Sequence, residues 1–225
     1  MDGRCSAADG AARVELHWIP LGAGAHIVKL SGHLYEALSA RIHRRHPMEL
    51  FHAALTLTLP EAPYTVEQAP VPDLHGDRRG VVAEGPVGIR GAGRLRLFRY
   101  EVRCWRNGSI PDLSSEGATS QLVSVDPTTA RRILEVVASI PTPTWGRDEL
   151  RTGEMWNSNS VIAWTLTRSG IDARRLAPPA GGRAPGWHAG IRVALQSSVS
   201  SDSPGSQIAP PSRGTQGHAA NSGIS

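Results

Sequence analysis

Hydrophobic and polar residues alternate most regularly over residues 51–59. Phe51, Ala53, Leu55, Leu57 and Leu59 point one way, and His52, Ala54, Thr56 and Thr58 the other, the period of two of a half-buried strand. A turn at Pro60-Glu61-Ala62-Pro63 leads into residues 64–69, and the two segments predict a hairpin. Val14 to Ile19 reads as an earlier strand stopped by Pro20, and 26–30 as a short second one. Leu34, Tyr35, Leu38 and Ile42 recur at helical spacing up to Pro47. After a polar stretch at 73–79 and a glycine-spaced loop at 85–93, residues 95–105 return to strand character, with Phe98, Tyr100, Val102 and Cys104 on one face.

Asp126 followed by Pro127 predicts a helix start, an N-cap carboxylate before a proline at the first helical position. Ile133, Leu134, Val136 and Val137 form its apolar stripe, and Pro141 closes it. A last helix opens near Asn157-Ser158, turns Val161, Ile162 and Leu166 inward and ends at Gly170. Residues 181–187 read as a constrained turn, followed by a final strand over 190–195. Strands precede most helices, so the expected class is α+β, an antiparallel sheet packed against a few helices.

Composition fixes the organisation. Residues 1–12 are expected to be a flexible lead-in, 13–195 one globular domain and 196–225 a disordered tail, since that tail holds nine serines, four glycines and three prolines without one aromatic residue. Hydrophobic residues make up 40% of the chain and charged residues 20%, enough apolar content for a packed core. The formal charge is +4, and Lys29 is the one lysine among 24 basic residues. Basic runs at 41–45 and 94–103 are read as solvated faces rather than a nucleic-acid surface, because acidic and apolar residues interrupt the longer one. Two cysteines, Cys5 and Cys104, make neither a disulfide framework nor a zinc site. Acidic and basic residues among the first 30 interrupt any apolar stretch, so no export signal is expected there, and no apolar run approaches the ~20 residues of a membrane helix. A cytoplasmic protein without a membrane span is the expectation.

Candidate chemistry is sparse. A phosphate cradle in the 85–93 loop needs a helix after its glycines, and a strand is expected there instead. His43 and His46 are three apart and His33 lies upstream, but no carboxylate falls on a matching turn, so no metal and no cofactor are expected. His52 stands beside small residues on its strand. Glu67 shares its face by parity, although a simple hairpin register sets Glu67 opposite Thr56, too far away to orient the ring. The segment from Met155 to Trp164 has two readings. Its Asn and Ser residues cap a helix, or a hydroxyl at the positive end of the helix acts as a nucleophile beside N–H groups that hold an oxyanion.

The order of a strand histidine in His52-Ala53-Ala54-Leu55, a second strand, and far downstream a helix opening with Asn157 and Asn159 resembles the circularly permuted papain-like group of the NlpC/P60 superfamily. The resemblance covers about residues 50–171. It implies a papain-like fold in which a helix-opening cysteine is the nucleophile and the strand histidine its base. Those roles fall on Ser158 and His52, with Asn157 and Asn159 supporting the oxyanion and Ser160 as the other nucleophile position. Apart from the resemblance, Trp156 and Trp187 sit near Pro- and Gly-rich loops and are the expected walls of a pocket there. A serine stands where the group has its cysteine, and a hydroxyl needs its proton removed during attack. The resemblance therefore implies either a hydrolase or acyltransferase acting on an amide or ester of a small-molecule, peptide or acyl substrate, or an inactive relative. The inactive relative would bind a peptide, cell-wall fragment or lipid, or serve as an interaction scaffold.

Overall fold

A computed structural model describes residues 12–21, 48–71, 80–114 and 116–201. The strand read at 26–30, the helix read at 34–46, His33, His43, His46, Cys5, the polar stretch at 73–79 and the tail beyond residue 201 lie outside the described residues.

The fold is α+β. Strands β1 (Arg13–Pro20), β2 (Glu49–Leu59), β3 (Ala62–Val71), β4 (Val81–Pro86), β5 (Arg99–Arg106) and β6 (Thr119–Ser124) form one antiparallel sheet in the order β4-β5-β3-β2-β1-β6. A two-residue strand, β7 (Gly182–Arg183), runs parallel to the start of β2. Helices α1 (Pro127–Val137), α2 (Ser158–Arg168) and α3 (Trp187–Ser201) complete the described elements. Among the described residues no helix is long and apolar enough to cross a membrane.

The two faces of the sheet follow from the alternation in β1 and β2. Leu16, Trp18, Phe51, Ala53, Leu55 and Leu57 are buried in the main core with Ile133 of α1, Ile162 and Leu166 of α2, and Trp187 and Ile191 of α3. Residues of the other parity, Ile19 and Ala54, belong to a separate small cluster with Ile110. The helices therefore pack on one face, and the pleat sends the alternate side chains to the opposite face.

The hairpin closes with Leu59 opposite Ala62 and brings Thr56 against Thr65. This corrects the simple register, which set Glu67 there. Helix α1 starts as read, with the Asp126 carboxylate accepting from the N–H groups of Thr128 and Thr129. It stops at Val137, before Pro141 is reached. Strand β5 begins at Arg99, so residues 95–98, read as strand, lie outside it, and two short 3-10 turns (Arg90–Arg94 and Arg96–Phe98) lead into it.

The strand read at 190–195 is instead part of helix α3. Ile191, Val193 and Leu195 mimic a period of two, yet Ala194 is fully buried and Leu195 is 49% exposed, the reverse of what a strand requires. Trp187, Gly190, Ile191 and Ala194 share one helical face. The helix continues through Ser201, past the boundary drawn at residue 196.

Candidate functional site

The opening of α2 is a knot of hydrogen bonds. Asn157 is its N-cap: Oδ1 accepts from the N–H groups of Asn159 (2.9 Å) and Ser160 (3.2 Å), while Ser160 Oγ accepts from the Asn157 N–H (3.1 Å). This reciprocal box satisfies N–H groups that a helix otherwise leaves open. Asn157 Nδ2 donates to the Pro185 carbonyl (2.8 Å), Asn159 Nδ2 donates to the carbonyls of Phe51 (3.0 Å) and Pro185 (2.9 Å), and the Ser160 hydroxyl donates to the Gly186 carbonyl (2.7 Å). The start of α2, the start of β2 and the turn before α3 are thereby tied together, and Asn157, Asn159 and Ser160 are all buried.

That wiring bears directly on an acyl-transfer site. The Asn159 and Ser160 N–H groups, the natural oxyanion donors at this helix end, are already bonded to Asn157 Oδ1. Ser160 is fully buried with its proton committed to Gly186, which leaves it no access to a substrate. Ser158, at the first turn of the helix, is half-buried. His52 lies across from Ile19 in the β1–β2 ladder, so its side chain extends from the face opposite that on which α2 packs. Trp156 and Trp187, read as pocket walls, are 2% and 4% exposed and belong to the core. The Trp187 ring lies 4.8 Å from that of Trp18 and its indole N–H donates to the Ala173 carbonyl. No protein-family model, curated protein or solved structure matches the chain.

On the second face the structure brings together residues that the sequence reading did not connect. His17 is 3% exposed, with Nδ1 2.7 Å from Ser120 Oγ and Nε2 2.8 Å from Thr56 Oγ1. Burial pushes its pKa below the ordinary imidazole value, opposed by the nearby Glu15 carboxylate. A neutral ring carries one donor and one acceptor, so it bonds both hydroxyls and pins β6 to β1 and β2. Farther across the face, Arg103 stands opposite Glu67, with Nη1 3.8 Å from Glu67 and Nη2 2.9 Å from Glu101. All three are buried, so the guanidinium offsets the desolvation of its carboxylates. Parity alone could have placed Glu15, His17 and Ile19 beside His52, but no motif marks them. Cys104 is equally inert, since burial pushes its thiol up to about 11. Among the described residues, no three His, Cys, Asp or Glu side chains form a metal-binding group.

The glycine-spaced segment forms a ridge beside edge strand β4. Its base closes through the Val87 N–H and the Phe98 carbonyl (2.8 Å). One flank is held by Gly88 N–H to the Trp145 carbonyl, Arg147 Nε to the Gly88 carbonyl, and an Arg90–Glu149 ion pair of 3.2 Å. This fixed loop leaves Ile89, Leu95, Leu97 and Phe98 exposed by 65%, 61%, 68% and 42%. With neighbouring Trp145 and Leu150, it holds six of the nine large hydrophobic residues exposed among the described residues. The exposed apolar residues are thus concentrated here, whereas scattered single ones are ordinary on a protein surface.

Proposed function

We propose that this chain is a non-hydrolytic docking module, an inactive relative within the papain-like resemblance, which engages its partner through the 87–98 ridge. The observation that carries the reading is the clustering of Ile89, Leu95, Leu97 and Phe98 in solvent on a loop anchored at its base and flank. The helix opening supports it from the other side: the Asn159 and Ser160 amides and the Ser160 hydroxyl are committed to bonds within the fold. The sparse cysteines favour a reducing, cytoplasmic setting.

The test has two parts. A fluorophosphonate probe should leave Ser158 unlabelled. Labelling of Ser158 that disappears in His52→Ala would restore the hydrolase reading and end this one. A hydrophobic dye such as bis-ANS should bind the native chain and lose that binding in a Leu95→Ser, Leu97→Ser double variant whose Tm is unchanged. Equal dye binding by both proteins would move the docking surface elsewhere.

A further inference from the structure

Charge decides what the ridge fits. Four arginines punctuate it, Arg90, Arg94, Arg96 and Arg99. The outer two are neutralised locally: Arg90 pairs with Glu149 at 3.2 Å and Arg99 with Glu84 at 2.8 Å. The inner two, Arg94 and Arg96, are exposed and form no ion pair among the described residues, and they alternate with the exposed apolar residues in the run Arg94-Leu95-Arg96-Leu97-Phe98. Exposed cations and solvent-facing leucines within one short anchored segment call for a partner that offers anionic groups and hydrocarbon at neighbouring depths.

We infer that the ridge docks on an anionic lipid bilayer, with Leu95, Leu97 and Phe98 entering the acyl boundary and Arg94 and Arg96 held among the phosphate-bearing headgroups. The inference rests on the docking reading above and names its partner. Peripheral segments of this chemistry bury their apolar side ~5–10 Å into the interface, where long basic side chains reach back to the headgroups. The half-exposed Trp145, whose backbone bonds to Gly88, lies beside the ridge and suits the same interfacial layer. A nucleic acid would use the arginines and leave the leucines without a role, because bases stack on aromatic rings and not on aliphatic chains.

The experiment is co-sedimentation of the full chain with vesicles of phosphatidylcholine alone and of phosphatidylcholine with phosphatidylserine in equal parts. The wild type should bind the serine-lipid vesicles, more weakly at high salt, and bind the neutral vesicles far less. Arg94→Gln with Arg96→Gln should lower affinity about 30-fold, the equivalent of ~1 kcal/mol for each arginine near an anionic surface. Leu95→Ser with Leu97→Ser should lower it at least about tenfold, since each leucine would otherwise leave water. Equal binding to both vesicle types, or no binding to either, overturns the inference. If the wild type still takes up dye in that case, the docking reading survives; if it does not, both fall. Loss of single-stranded oligonucleotide binding in the arginine variant alone, with vesicle binding insensitive to the leucines, would assign the surface to nucleic acid instead.

Discussion

Gly190→Ala puts the helix-opening knot under direct load. In an ordinary helix interior the change from glycine to alanine stabilises by ~1 kcal/mol. Here a Cβ would stand 2.2 Å from the Ser160 carbonyl oxygen and 2.9 Å from the Ser160 Cα, both backbone atoms that no rotamer change can move aside. Helix α3 must therefore back away from α2. Gly186, four residues earlier, sits at φ +83°, and its carbonyl accepts the Ser160 proton, so that shift strains a buried hydrogen bond as well. Overpacking costs ~1–3 kcal/mol and a lost buried hydrogen bond ~1–3 kcal/mol, which against the helix gain of ~1 kcal/mol leaves a net loss of ~1–5 kcal/mol, centred near ~3 kcal/mol. For a domain of this size the central value lowers Tm by about 6–12 °C. Thermal unfolding followed by circular dichroism reads it directly. An unchanged or raised Tm would falsify the close α2–α3 contact and the role given to the knot.

Two further outcomes follow from the same physics. Ser160→Ala should cost ~1–3 kcal/mol in urea unfolding, because it removes both the donor to Gly186 and the acceptor for the Asn157 N–H; a variant as stable as wild type would contradict the structural role of that hydroxyl. His17, whose pKa is lowered by burial, binds protons more readily in the unfolded chain, so its contribution is complete above the ordinary value of 6.5 and is lost as pH falls below it. The urea midpoint should therefore drop on acidification more steeply in wild type than in His17→Gln, and parallel pH profiles would show that His17 is not the group responsible.

Periodicity made β1, β2, the hairpin and the openings of α1 and α2 legible, because each carries one clean face or a cap whose chemistry acts within a few residues. Strand β6 was missed for a physical reason. It is an edge strand with four exposed residues in six, held by its backbone ladder to β1 and by Ser120 on His17, and its sequence shows no apolar alternation. Helix α3 was misread because apolar residues at every second position (Ile191, Val193, Leu195) imitate a strand, whereas Gly190 and Ala194, the small residues that let it approach α2, have no period-two signature.

The site was legible in its residues and not in its relations. Asn157, Asn159 and Ser160 stood out correctly as a cap, yet their partners Phe51, Pro185 and Gly186 are far away in sequence. Which face of β2 the helices cover decides where His52 points, and that is settled by the whole sheet. The ridge escaped notice because Leu95, Leu97 and Phe98 look like ordinary strand residues until the 3-10 turns lift them out of the sheet.

Contact between the ridge and lipid can be read at one position. With Cys5 and Cys104 replaced by serine, an environment-sensitive fluorophore attached through Leu97→Cys should shift to the blue and brighten on mixing with phosphatidylserine-containing vesicles. The same label at Thr58→Cys, an exposed β2 position away from the ridge, should not respond. A label at 97 that keeps its aqueous spectrum, or that responds no more than the one at 58, would contradict the assignment of this loop as the docking surface.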